Sequence, residues 1–239
     1  MLAECPLSPG GMLVSLNRDG GEWEFPFSTR EKIQVFTRFN LRLLGARLEE
    51  PRWTIRELKL PGLASVILAI VHLHDKRNWS DSSQSAACYD LARDIKNVEE
   101  RTGHHRTLVV GDFNMNPFET GMLAANGLHA EMTRSIAGKV ERVVDEKTHR
   151  YFYNPMWNLL GDATRGPAGT YFYQGSEPVR MSWNMFDQVL VRPELFPFLR
   201  TEELEILTGD GQASFLTSQG TPTKQRGSDH LPVLFKLNL

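Results

Sequence analysis

Apolar residues in this chain gather into short runs separated by polar joints rich in glycine and proline, and the period within each run predicts its element. The strongest runs are Leu108-Val109-Val110 and residues 64–73, which end in SVILAIVHL; both read as buried strands. Residues 78–101 repeat Ala87, Leu91, Ile95 and Val98 at near-helical spacing, with Asp81 or Ser82 as a cap and Thr102-Gly103 as the stop. Residues 53–60 alternate as a strand before a turn at Pro61-Gly62. Met12–Leu16 and Trp23–Phe27 flank Asp19-Gly20-Gly21 and predict a hairpin. Ser28-x-x-Glu31 has the form of a capping box, yet the KIQVFTRF that follows alternates Ile33, Val35, Thr37 and Phe39, so a strand is expected there. Met1-Leu2-Ala3 reads as the tail end of a buried strand, stopped by Pro6 and Pro9-Gly10-Gly11.

In the second half the pattern is weaker. Residues 141–147 are a candidate helix, 149–153 and 170–173 are aromatic strand-like pieces, and 185–191 (MFDQVLV), 203–207 and 231–237 are strands. Residues 209–227 form a long polar, glycine-rich loop.

Composition narrows the class. With 239 residues, 41% hydrophobic and 23% charged, and with no repeat or linker, the chain reads as one α/β domain spanning 1–239. A net charge of −2 argues against a broad basic surface, while leaving room for nucleic acid held through a few loops and a metal. Cys5 and Cys88 are too few for a disulfide framework or a zinc knuckle, which makes a reducing cytoplasmic setting the default. The longest apolar run, residues 63–73, is too short to span a bilayer, and no positive n-region precedes an apolar h-region at the N-terminus. A monomer is expected.

The candidate chemistry centres on LVVGDFNMNP, residues 108–117. Gly111 would permit a sharp exit from the strand, and Asp112 and Asn114, two residues apart, would project to one side. Asn116-Pro117 has the form of an N-cap and first position of a short helix running to about residue 125, closed by Asn126-Gly127. A carboxylate and an amide are thus delivered at the carboxyl end of a buried strand, where α/β folds place their ligands. Other groups join them. His72 and His74 close the 64–73 run and lead into Asp75-Lys76-Arg77; Glu4 sits at a strand end; Ser228-Asp229-His230 precedes the last strand. Asp187 lies within an apolar strand, where a carboxylate is costly unless paired. Arg42, Arg47 and Arg52 lie in or near a polar connection, as phosphate contacts or as ordinary surface charge, and His104-His105-Arg106 reads as a solvated loop.

Each has an ordinary explanation taken alone: an Asx turn for Asp112 and Asn114, a structural hydrogen bond for Asp187, a cap for Asp229, a solvated terminus for Glu4. Taken together they make a set of oxygen ligands without thiolates, which suits Mg²⁺ or Mn²⁺ rather than zinc. Water activation by Asp112, with a metal and His230 on the developing charge, is a coherent route to phosphoester hydrolysis.

GDFNMNP, MFDQVLV and SDHLPV, in that order, resemble the endonuclease/exonuclease/phosphatase superfamily, which includes pancreatic-type DNases, apurinic endonucleases, sphingomyelinases and inositol-polyphosphate phosphatases. The resemblance runs from Glu4 to Leu237 and implies a DNase I-like four-layer α/β sandwich: two sheets face to face with helices outside. It also implies a Mg²⁺- or Mn²⁺-dependent phosphoester hydrolase, most simply a nuclease-like phosphodiesterase acting on a phosphoester substrate such as nucleic acid. By the same resemblance Asp112 orients or deprotonates the attacking water and Asn114 partners it at the phosphate and metal. Asp187 orients the catalytic His230, His72 contacts phosphate in preference to His74, and Glu4 and Asp229 bind the metal. The family's first strand, with its asparagine, and its first helix have no counterpart before Glu4, so the coding frame is expected to extend upstream of Met1. That departure keeps two alternatives in view: a phosphoesterase for small molecules or phospholipids, and a catalytically impaired phosphate-binding remnant.

Overall fold

The computed structural model describes residues 1–26, 32–163, 166–176 and 181–239. β1 (Leu2–Ala3) pairs antiparallel with β2 (Ile33–Gln34), but Met1 and Leu2 are exposed, so this is not the buried strand the apolar run predicts. In place of the expected hairpin, Pro9–Leu16 forms helix α1. Ser8 explains the difference: its side chain accepts the Gly11 N–H at 3.2 Å, and Pro9 supplies a pre-set φ at the first helical position. The KIQVFTRF strand contracts to β2 and an isolated bridge between Thr37 and Glu24. Phe27 and the Ser28–Glu31 capping box lie outside the described residues.

The following elements build the body of the molecule: β3 (Leu44–Glu49), β4 (Trp53–Leu58), β5 (Val66–His72), α2 (Asp81–Thr102), β6 (Thr107–Asp112), α3 (Thr120–Leu123), β7 (Ala130–Glu131), α4 (Arg134–Ala137), β8 (Glu141–Val144), β9 (Lys147–Arg150), β10 (Phe152–Tyr153), β11 (Tyr171–Phe172), β12 (Trp183–Asn184), β13 (Asp187–Val191), β14 (Leu199–Ile206) and β15 (Val233–Leu237). Seven strands form one sheet in the order β3-β4-β5-β6-β13-β10-β7. Its centre is parallel, β5 beside β6, with α2 as the crossover; β13 then pairs antiparallel with β6.

Alternation along the central strands separates two cores. Ile67, Ala69 and Val71 of β5, Val109 of β6 and Leu190 of β13 pack with Cys88, Leu91, Ile95 and Val98 of α2. The opposite parity, Val66, Leu68, Leu108, Val110, Val189 and Val191, packs with Leu204, Ile206, Val233, Phe235 and Leu237 of the β14–β15 ribbon. The layers are therefore helix, sheet and a second β layer, as in a DNase I-like fold, with β1–β2, β11–β12 and β14–β15 as two-stranded pieces. His72, Asp112 and Asp187 share the parity of the second set, so all three face the second β layer.

Several local expectations are corrected. The candidate helix at 141–147 is the β8–β9 hairpin. β-branched Val143 and Val144 precede Asp145 and Glu146, whose φ values of 49° and 62° make the left-handed turn that joins twisted strands. The cap of α2 is Ser80, one residue before the predicted pair, with its hydroxyl accepting the Ser83 N–H; Gly103, at φ 74°, closes the helix. Arg47 belongs to strand β3 and donates to Glu57 at 2.8 Å, so it is not free for phosphate. Asp187 opens β13 rather than lying inside it. Asn116-Pro117 does not start a helix; α3 begins at Thr120, and Asn116 is drawn into side-chain contacts with the segment before β13. Gly111 is not an exit from β6 but a residue within it. A Cβ there would stand 2.0 Å from the Val71 carbonyl oxygen, and its φ of 144° favours glycine, so the position serves the close approach of β5 and β6.

The far end of the central strands carries a buried ion pair. Arg192, just past β13, donates from Nε to Glu99 Oε1 at 3.0 Å and from Nη2 to Oε2 at 3.2 Å; Thr107 adds a 2.6 Å bond to the same carboxylate. The Arg192 guanidinium also lies 3.8 Å from the Phe152 ring centroid. This clamp ties α2 to the sheet at the end opposite Asp112.

Candidate active site

Strand register assembles the site. His72 is paired with Asp112 across the parallel β5–β6 ladder, and Asp112 with Asp187 across the antiparallel β6–β13 ladder. Three adjacent strands thus present imidazole, carboxylate and carboxylate in a row on one face. The loop before β15 brings His230 over that row: its Nδ1–H donates to Asp187 Oδ2 at 2.8 Å. Ligand-capable atoms of Asp112, Asp187 and His230 lie within 4.8 Å of one another.

Asp112 and Asn114 meet as the sequence predicts, but through an Asx turn. The Asn114 N–H donates to Asp112 Oδ1 at 2.8 Å and Asn114 Nδ2 to Oδ2 at 3.2 Å, with Asn114 at φ 51°. It is this turn that points the amide back at the carboxylate. Asn114 Nδ2 also donates to the Leu73 carbonyl, and Gln84 Nε2 of α2 fixes the Asn114 carbonyl at 3.0 Å.

His72 is buried, and its Nε2 lies 3.7 Å from Glu4 Oε1 and 3.8 Å from Asp112 Oδ2. Burial holds its pKa below the ordinary histidine value. Glu4 reaches the site from β1 with a mostly exposed side chain and a left-handed φ of 49°. Asp229, next to His230, has its carboxylate 3.4 Å from Lys224 Nζ and stands outside the Asp112–Asp187–His230 trio. His74 turns to a different neighbour, the Trp79 ring, at 3.9 Å between centroids. Of the three arginines read as phosphate contacts or as ordinary surface charge, Arg52 is the one whose charge is felt at both His72 and His74.

The electrostatics split the roles. Burial first, and the Asp187 charge second, push Asp112 up to about 7. Burial opposes the charged imidazolium of His230, but the Asp187 carboxylate, by charge and hydrogen bond, outweighs it and raises His230 to about 9. Near neutrality His230 is therefore protonated, and Asp112 is about half protonated. With Nδ1 of His230 taken by Asp187, Nε2 is left for a substrate.

A second tier of residues holds this row, and sequence reasoning missed it. Thr170 Oγ1 accepts the N–H groups of Phe186 and Asp187, both at 3.1 Å, and so fixes the start of β13. Asn116 Nδ2 donates to Asn184 Oδ1, and its own Oδ1 accepts the Met185 N–H. Gln188 Nε2 donates to the Met115 carbonyl at 2.6 Å. Tyr171 makes a backbone bridge to His230 and lays its ring 4.7 Å from the imidazole, while Arg77 Nη2 donates to the Tyr171 hydroxyl at 3.5 Å. Only Asn116 carried a visible signal, by its place in GDFNMNP; the others are polar residues in loops whose partners are distant in sequence.

The donor set fits a hard divalent cation. Asp112 is a buried carboxylate beside Asp187, and Glu4 Oε1 and Asp112 Oδ2 both lie within 3.8 Å of His72 Nε2. The Asp187–His230 pair is less suited to bind it, since each already satisfies the other at 2.8 Å.

No family model matches the sequence, and no curated protein matches it. Solved structures do. The chain is similar to a TDP2 from D. rerio humanized by 14 mutations, at 14% identity, with 98% of this chain and 83% of that one covered and a TM-score of 0.55. It is similar to the 3′ phosphatase NExo from Neisseria bound to product DNA hairpin, at 13% identity, 100% and 86% coverage and a TM-score of 0.54. The 3′–5′ exonuclease NExo from Neisseria meningitidis matches at 15% identity, 95% and 83% coverage and a TM-score of 0.51. At such identities the likeness is one of fold, and the chain has a DNase I-like fold.

Proposed function

We propose that this chain is a divalent-metal-dependent phosphodiesterase of nuclease type, which cleaves a phosphoester bond with an activated water. The observation that carries the reading is the row His72–Asp112–Asp187 with His230 closed over it, in which a buried carboxylate and an imidazole stand within 4.8 Å. Asp112 accepts the proton of the attacking water or holds that water in line. Asn114 keeps the Asp112 carboxylate oriented with one Nδ2 hydrogen while the other goes to the Leu73 carbonyl, which leaves its Oδ1 to face the cation. His230 donates from Nε2 to the phosphate oxygen that gains charge, with Asp187 holding the imidazolium in place. His72, neutral through burial, supplies a further hydrogen bond to the phosphate.

Glu4 and Asp229, alongside Asp112, are the proposed cation ligands, and Asp229 gives up Lys224 to serve. When bound, the cation adds positive charge at the phosphate and lowers the pKa of the attacking water. Nucleic acid is the preferred substrate class: the similar NExo structure holds a DNA hairpin. A small phosphoester is the second reading, favoured by the net charge of −2, which supplies no broad basic track for a long polyanion. Among the described residues no helix is long and apolar enough to cross a membrane.

The direct test is hydrolysis of bis(p-nitrophenyl) phosphate with Mg²⁺ or Mn²⁺. Turnover is expected, and EDTA should abolish it. Undiminished turnover in EDTA would remove the metal from the account; no turnover with either metal would remove the phosphodiesterase.

A further inference from the structure

The segment between β5 and α2 leaves the catalytic row at His72 and ends in an exposed aromatic ring. Leu73 still follows the sheet, its N–H donating to the Asp112 carbonyl at 2.9 Å. His74 therefore stands two extended residues past His72, roughly 7 Å along the backbone. Its ring lies 3.9 Å from that of Trp79, at an interplanar angle of 39°. Trp79 is 43% exposed, although tryptophan is costly to leave in water.

The segment is built to hold that ring still. Asp75 Oδ1 accepts the N–H groups of Arg77 and Asn78 at 2.9 and 3.0 Å and the Asn78 amide at 3.0 Å, which closes the loop on itself. Lys76 Nζ ties it to Gln84 at 3.2 Å and to Asp81 at 3.4 Å. Gln84 Nε2 donates to the His74 carbonyl at 2.7 Å, and the same Nε2 donates to the Asn114 carbonyl, so α2 holds the Trp79 support and the catalytic turn together. Arg77 crosses to Tyr171, whose ring packs on His230.

We propose that residues 74–79 form a base-stacking subsite, in which the exposed Trp79 ring receives the nucleobase beside the scissile phosphate, so that the substrate is a single-stranded or frayed nucleic-acid end. A base inside a duplex already has both faces covered, whereas an unstacked base gains a partner on an aromatic side chain. His74 contributes by backing the indole, so that less side-chain freedom is lost when a base arrives. Arg77 adds a positive charge on the same loop. The inference rests on the phosphodiesterase reading above and adds to it the substrate's form and the residue that selects it.

The test compares the full chain with its Trp79→Ala and Trp79→Phe variants on two metal-supplemented substrates: a single-stranded oligodeoxynucleotide, and a strand of the same length made of abasic tetrahydrofuran residues. Wild type should show a KM about ten-fold lower for the strand with bases, a typical effect of stacking one base. Trp79→Ala should raise that KM to the abasic value with little change in kcat, and Trp79→Phe should keep most of the preference. Equal KM values for wild type and Trp79→Ala, in a chain that cleaves both strands, would overturn the stacking subsite alone. Cleavage of neither strand by wild type would overturn the stacking subsite together with the nucleic-acid substrate, while turnover of bis(p-nitrophenyl) phosphate decides separately whether the phosphodiesterase reading stands.

Discussion

At the scale of single residues, His230 and Asp112 have proton affinities that move for different reasons. His230 is raised to about 9 by Asp187, so the stability this pair contributes is fully present below the ordinary histidine value near 6.5 and is lost as pH rises through about 9. Asp112 is raised to about 7 by burial; the stability tied to its protonated form is present below about 3.8 and is lost as pH rises through about 7 in the metal-free protein. Activity should therefore fall on the alkaline side through about 9, and the acid limb should lie at or below about 7 once a cation draws Asp112 down. An NMR titration of the His230 ring should give a midpoint near 9, and Asp187→Asn should lower it by more than one unit while cutting kcat by about a hundred-fold, within the range for a lost acid–base orientation. An unshifted midpoint in Asp187→Asn would contradict the pairing. The two histidines of β5 and its exit separate in the same way. His72→Ala should lower kcat, because its Nε2 lies 3.7 Å from Glu4 and 3.8 Å from Asp112, whereas His74→Ala should act mainly on KM, because its ring supports Trp79. A larger kcat loss at His74 than at His72 would reverse those roles.

At the scale of elements, the site depends on how closely β5 and β6 approach. Gly111→Ala would place a methyl 2.0 Å from the Val71 carbonyl oxygen at a φ that disfavours side chains, so the ladder that aligns His72 with Asp112 must shift. The variant should lose on the order of 2–4 kcal/mol, read as a lower Tm, and should lose activity with it; a Tm within a degree of wild type would show that the ladder tolerates the change. The same strand shows what a sequence makes legible. Buried runs such as 66–71 and 108–110 declare themselves, since no polar residue interrupts them, and both strands and α2 are found where periodicity places them. Signals carried by one side chain were masked by composition. Ser8 converts a β-like segment into α1, Asp145-Glu146 convert a charged, helix-like stretch into the β8–β9 hairpin, and Asn116 spends its amide on Asn184 and Met185 instead of a cap. β3 was hidden because an edge strand need bury only part of one face, and its arginine reads as loop charge.

At the scale of the whole molecule, the row of catalytic candidates lies where the ends of one sheet meet the second β layer, and the Glu99–Arg192 clamp secures the opposite end. The order of GDFN, MFDQ and SDH along the chain made that meeting legible, because each supplies a strand end or strand start. The residues that hold it, Thr170, Asn184, Gln188 and Tyr171, were not legible, since their value lies in contacts across the fold. The central claim is that this row performs the chemistry. The most direct measurement is kcat for bis(p-nitrophenyl) phosphate in Mg²⁺ by Asp112→Asn against wild type, with circular dichroism and Tm matched. An amide keeps the shape and loses the base, so a fall of at least about a hundred-fold is predicted. A folded Asp112→Asn with wild-type kcat would contradict the account.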